Sequence, residues 1–123
     1  NTGHKSMALY VGDGPYRLSP NIRFYADVVY TNHPPAGAYR GYGVPQGYWP
    51  LERHMEKIAR TIGMDPWEIR LINAYRNGQV KPVRKVVEDA TLVETIQAAA
   101  KLVGHELPER LKAMHSNDAL NDE

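Results

Sequence analysis

The sequence reads as an α+β chain: a β-rich N-terminal third, a glycine-rich loop, then three to four helices. Three observations carry this. Residues 21–31 alternate between two faces, with Ile22, Phe24, Ala26, Val28 and Tyr30 on one side. Residues 37–46 interleave glycines and aromatics with a single arginine. From Pro45 onward, apolar residues recur at helical spacing in runs bounded by their own start and stop residues.

At 123 residues the chain is long enough for one domain with its own core. Fifteen Lys and Arg against fourteen Asp and Glu leave a formal charge of +1, which gives no electrostatic footprint for nucleic acid or membrane. There is no cysteine, so this chain makes no disulfide, thiolate metal site or iron–sulfur ligand set. Asn1-Thr2-Gly3-His4 carries neither an initiator methionine nor a signal pattern, and no apolar run reaches the length of a membrane span. The chain is read as cytoplasmic and as a piece of something longer.

Residues 1–32 are expected to be irregular apart from one strand. Met7 to Val11 is a short apolar run that Gly12-Asp13-Gly14-Pro15 breaks. The strand is residues 21–31, whose two-residue period and β-branched and aromatic content fit one buried face. Pro34-Pro35 ends it. Residues 33–44 form the loop, and residues 45–115 are helical. Pro45 suits a first helical residue, and Tyr48, Leu51, Met55, Ile58 and Ile62 form the apolar stripe of the first helix. Glu56 and Arg60 make a favourable i,i+4 pair, and Gly63 stops the helix.

Asp65-Pro66-Trp67-Glu68 starts a second helix as a capping box, running to Tyr75 or Arg76 before Asn77-Gly78. Residues 79–88 are a basic connector. A third helix is expected from Ala90 to Val103, with Leu92, Ile96, Ala99, Ala100 and Val103 inward, and a short fourth from Pro108 to Met114. Residues 116–123 are a polar tail.

Most polar residues have plain structural readings. His4, His33, His54, His105 and His115 share no i,i+3 or i,i+4 spacing, so no metal site is expected. Met55 and Met64 read as core filler. Glu52, Glu56, Glu68 and Glu94 read as solvated faces and caps. Gly41-Tyr42-Gly43 lacks the spacing of a dinucleotide or phosphate-loop fingerprint. The loop itself has two readings. It is a tight connection from strand to helix, or it is a ligand loop: glycines for close approach, Arg40 for an anionic or oxo-rich partner, and aromatics as flat walls.

Pro35-Ala36-Gly37-Ala38-Tyr39-Arg40-Gly41-Tyr42-Gly43-Val44-Pro45-Gln46 resembles the FRGFG–PQ loop of the xanthine dehydrogenase and aldehyde oxidase family of molybdenum hydroxylases. Asn21-Ile22-Arg23, Tyr30-Thr31-Asn32, Gly63-Met64-Asp65-Pro66 and Arg70-Leu71-Ile72-Asn73 extend the resemblance over roughly residues 7–78. The resemblance implies a fragment of a larger molybdopterin-binding domain, residues 1–123 being a single partial domain. It implies a molybdopterin cofactor and hydroxylation of a heteroaromatic ring or aldehyde with oxygen from water. Iron–sulfur clusters and FAD would reside on other domains or subunits. Partners would be the remainder of the large subunit, iron–sulfur and flavin subunits and a small-molecule substrate, with no nucleic acid or membrane.

By the same resemblance, Tyr39, Arg40 and Gly41 bind the cofactor and Tyr42 packs against the substrate ring. Tyr39 and Tyr42 stand where xanthine-type members have phenylalanine. Met7 stands where purine-oxidising members place an arginine, so purine specificity is not expected. Gly41 stands where the carbon monoxide dehydrogenase branch has cysteine. The family's upstream Gly-Gly-Phe-Gly-Gly-Lys segment and its downstream Gly-Val-Gly-Glu segment, with the catalytic base, are not in this sequence. No catalytic residue and no direct metal ligand is therefore expected here, and the isolated chain should be inactive. The alternative is a non-catalytic helical interaction module that retains the loop.

Overall fold

The computed structural model describes residues 14–17, 21–23, 25, 27, 29–34 and 40–118. Their regular structure is helical: α1 (Val44–Ile62), α2 (Pro66–Asn73), α3 (Leu92–Leu102) and α4 (Glu109–Lys112). None of these helices is long and apolar enough to cross a membrane.

The helix ends follow local chemistry. Gly63 closes α1 at φ 70°, its N–H reaching the carbonyls of Ala59 and Arg60. Asp65 caps α2, with Oδ1 accepting from the amides of Trp67 at 2.7 Å and Glu68 at 3.2 Å. The reciprocal half of the expected capping box is replaced by another contact: the Glu68 carboxylate pairs with Arg110 of α4. Pro50 lies inside α1, where it cannot donate to the carbonyl of Gln46.

Two apolar clusters share α2. On one side, Tyr16, Met55, Ala59 and Ile69 are buried, with Leu51 and Met64 packed on them. On the other, Leu71, Ala74, Val93, Ile96, Ala100, Leu107 and Leu111 form the larger cluster, with Trp67 and Met114 against it. Leu92 touches both. Burying a side chain of this size contributes about 1.5–3 kcal/mol, so α2 is the element on which the fold depends.

Tertiary packing rotated two predicted stripes. In α1 the buried line is Leu51, Met55 and Ala59, while Ile58 and Ile62 remain exposed. In α3 Val93 is fully buried and Val103 is exposed. In both helices a small or β-branched residue beside the periodic line fits the close approach of α2. The helix α2 also ends before the expected Tyr75. The amide of Tyr75 donates to Pro15 O at 3.1 Å, and Arg17 N donates to Asn73 O at 2.7 Å. An extended N-terminal piece takes over the pairing that helical turns would have used.

That contact gives the bridge between Tyr16 and Ala74; the other, Val80 with Val86, folds the basic connector back on itself. The β-rich N-terminal third is not found among the described residues. Residues 21–23, 25, 27 and 29–31 form no ladder, and Tyr25, Val29 and Tyr30 are solvent-facing. Phe24, Ala26 and Val28 lie outside the described residues. An alternating pattern becomes a strand only where its edge and its apolar face both meet a partner. Ser116, expected to head a polar tail, is buried. Its hydroxyl donates to Glu94 at 2.6 Å and its amide at 2.8 Å.

Candidate functional site in the loop before α1

The chain enters α1 through three successive positive φ angles, Gly41 at 88°, Tyr42 at 48° and Gly43 at 100°. The amide of Val44 donates to Gly41 O at 2.9 Å, closing a four-residue turn of the mirror-image kind with Tyr42 and Gly43 at its centre. Gly41 has no room for a side chain: a β-carbon there would lie 2.7 Å from Cδ of Pro45. Gly43 accommodates the second left-handed position. Tyr42 has no such freedom, and holding a side-chain-bearing residue in this region costs about 1–2 kcal/mol. The ring is half exposed. A strained aromatic presented to solvent at the mouth of a helix is an arrangement that packing of these residues alone does not require.

Arg40 stands one residue before the turn. It is exposed and has no hydrogen bond or ion pair among the described residues. The start of α1 beside it has no side-chain cap and no acidic residue in its first turn. An unpaired guanidinium next to an uncapped helix N-terminus favours an anionic, oxygen-rich group. This donor set fits the phosphate and oxo oxygens of a molybdopterin cofactor. Tyr39 and Met7 lie outside the described residues. Gly41 and Tyr42 belong to the turn, and Arg40 directly precedes it.

Behind the loop, α1 is held by a network around Glu52, not by the solvated face that its sequence predicts. Glu52 accepts from the hydroxyl of Tyr16 at 2.7 Å through one oxygen and from Arg70 Nε at 2.8 Å through the other. Arg70 also donates to the backbone carbonyls of Glu52 and Pro66. Burial first, and the bond to Glu52 next, push the Tyr16 phenol up from its usual value. Burial disfavours the Arg70 cation, but the bonded Glu52 carboxylate more than offsets it and holds the guanidinium above its ordinary range. Nothing in local spacing pairs residues 16, 52 and 70: Arg70 reaches Glu52 across two packed helices, 18 residues apart, and Tyr16 reaches it from the N-terminal piece, 36 residues apart.

Two further carboxylates, Asp65 and Glu94, have partners as well. Asp65 Oδ2 lies 3.2 Å from His105 Nε2, and the His105 ring stacks on Trp67 at 5.4 Å. Glu94 is held low by the Ser116 hydroxyl bond and then by the Ser116 amide. Buried Arg76 closes the end of α2 by donating to the carbonyls of Ala74 and Leu71. No cluster of metal-ligating side chains occurs among the described residues.

The comparisons with known proteins bear on this loop. Residues 2–74 match the molybdopterin cofactor-binding domain family model. The nicotinate dehydrogenase large molybdopterin subunit of Eubacterium barkeri is 44% identical over 87 residues, covering 70% of this chain and 20% of that protein. The aldehyde oxidoreductase of Megalodesulfovibrio gigas is 42% identical over 89 residues, 72% of this chain and 10% of that protein. The xanthine dehydrogenase of Dictyostelium discoideum is 34% identical over 87 residues, 71% of this chain and 6% of that protein. The chain thus spans a fifth or less of the length of these relatives. The matched span contains the whole turn, α1 and α2, and the chain belongs to the molybdopterin cofactor-binding domain family.

Proposed function

We propose that this chain forms one wall of the cofactor site in the large subunit of a molybdenum hydroxylase of the xanthine dehydrogenase type, acting on a heteroaromatic or aldehyde substrate. The observation that carries the proposal is Arg40, without a partner among the described residues, next to the strained, exposed Tyr42, inside the span that matches the family. The relatives' names, which are those of enzymes and enzyme subunits, favour this reading over a non-catalytic helical module.

When bound, the molybdopterin cofactor supplies the redox centre at which a C–H bond of the substrate becomes C–OH with oxygen from water, two electrons leaving to iron–sulfur and flavin groups on other domains or subunits. The chain's own residues bind and orient. Arg40 donates to cofactor oxygens through a planar fork that fixes direction as well as charge. Gly41, and by resemblance Tyr39, bring backbone close to the cofactor. Tyr42 offers a ring face that aligns a flat substrate for reaction. The general base belongs to a segment outside these residues. The alternating segment 21–31 gains its strand partner, and Tyr25, Val29 and Tyr30 gain cover, from the remainder of the large subunit.

The test is molybdenum analysis and dye reduction over a substrate panel, on the full-length subunit assembled with its electron-accepting partners and on the isolated chain. The full assembly should hold molybdenum and oxidise an N-heteroaromatic or an aldehyde in preference to xanthine. The isolated chain should do neither. A full assembly with no molybdenum and no turnover would refute the reading, and efficient xanthine oxidation would refute the specificity drawn from Met7.

A further inference from the structure

The outer face of α1 combines an exposed indole with a row of cations. Trp49, Arg53, Lys57 and Arg60 recur at i, i+4, i+8 and i+11, so they form one stripe opposite the buried line of Leu51, Met55 and Ala59. Trp49 is 72% exposed. An open groove of about 590 Å³ runs beside the stripe from Trp49 to Thr61. Twelve residues of helix make it about 18 Å long, the length of about five or six residues of extended chain.

The charges on this face are unbalanced. On the other helices Arg70 pairs with Glu52, Arg110 with Glu68, and Lys112 with Glu106 and Glu109, and Lys101 alone lacks a carboxylate among the described residues. On the outer face of α1, Glu56 serves Arg60. Glu52 is turned inward to Tyr16 and Arg70. Arg53 and Lys57 are left without a carboxylate among the described residues, one and two turns beyond an exposed indole. A solvated helix face needs no tryptophan; a tryptophan beside two unpaired cations has the composition of an interface anchor with a charged rim.

We propose that this face docks a carboxylate-bearing segment of the large subunit's own remainder, with Trp49 covered by its apolar part and Arg53 and Lys57 paired to its acidic side chains. The occupant follows from proportion and charge. Four-fifths or more of each relative's length lies beyond the matched stretch. A segment of the same polypeptide also needs no separate association entropy. The proposal rests on the chain being part of such a subunit, but not on the chemistry of the cofactor site.

Carbodiimide cross-linking of the full-length subunit tests it. The subunit is prepared as an equal mixture of ¹⁴N- and ¹⁵N-labelled copies, and the products are mapped by mass spectrometry. An amide between Lys57 Nζ and an Asp or Glu outside residues 1–123, within one isotopic copy, is expected. Acetylation of Lys57 by an activated ester should also be at least about tenfold slower in the full-length subunit than in the isolated chain. A mixed-isotope cross-link, one to a separate subunit, or one confined to residues 1–123 would overturn the assignment, as would equal acetylation rates. None of these outcomes depends on molybdenum, so failure here is separable from failure of the hydroxylase reading.

Discussion

Gly41 and Pro45 are fitted to one another: a β-carbon on Gly41 would stand 2.7 Å from the Pro45 ring, and Gly41 already sits at φ 88°. The residue that opens the turn and the residue that starts α1 therefore share one space. This is a packing reason for the glycine that is independent of any ligand. Gly41→Ala should destabilise the subunit by about 1–3 kcal/mol, because the added methyl meets a rigid ring as well as an unfavourable backbone angle. Thermal or urea denaturation of the variant checks this, and an unchanged midpoint would mean the turn relaxes freely.

Tyr42 sits under the opposite pressure. Its φ of 48° suits glycine better than tyrosine. Tyr42→Gly should leave stability unchanged or raise it by up to about 1 kcal/mol, since relief of left-handed strain offsets the greater chain entropy of glycine. If Tyr42 orients the substrate as proposed, the same variant in the full-length enzyme should raise KM and lower kcat. A stability gain with intact kinetics would remove Tyr42 from the pocket.

The Tyr16–Glu52–Arg70 network should show a graded response. Tyr16→Phe loses one hydrogen bond and should cost about 1 kcal/mol. Glu52→Ala leaves a buried phenol and a half-buried guanidinium unpaired. It should cost about 1–3 kcal/mol, toward the lower end because Glu52 is itself partly solvated. The raised Tyr16 pKa gives a pH signature. The folded pKa lies above the unfolded one, so this stability is complete below the ordinary tyrosine value of 10.0 and is lost as pH rises through the higher folded value. Alkaline melts of the parent and of Tyr16→Phe should differ in that range; identical alkaline slopes would contradict the network's role.

How much of this was legible in the sequence follows from range. Pro45, Gly63 and Asp65-Pro66 act within a turn of themselves, and the helix boundaries they imply lie close to those observed. Which residues those helices bury was less legible: Ala59 and Val93 displaced Ile62 and Val103 because α2 sets the direction of approach. The partners of Glu52, Glu68 and Glu94 are 18 to 42 residues away in the chain, and no periodicity encodes them. Arg40 and Tyr42 stand out in the sequence as candidates for a ligand loop because glycine, arginine and aromatic residues adjoin in one short run. Their strained, unpaired presentation needed coordinates.

At the other end of the chain, Glu94 and Ser116 form an acid-sensitive clasp. The folded Glu94 pKa is depressed below the ordinary value of 4.5, so its contribution is complete above that value and is lost as pH falls through the lower folded one. Hydrogen exchange at the Ser116 amide should accelerate relative to its intrinsic rate across that acid window. In Glu94→Gln the pH step should vanish. A Ser116 amide whose protection is flat with pH in the parent would show that the clasp does not depend on the carboxylate.

The most direct test of the central claim is the turnover of Arg40→Lys in the full-length enzyme, compared with the parent at matched molybdenum content. Lysine keeps the charge but not the planar fork. If Arg40 holds the cofactor in place, kcat should fall by about tenfold or more, about 1.4 kcal/mol in the barrier, while the melting temperature stays within a few degrees of the parent. Equal kcat at equal molybdenum would contradict the assignment of this loop as a wall of the cofactor site.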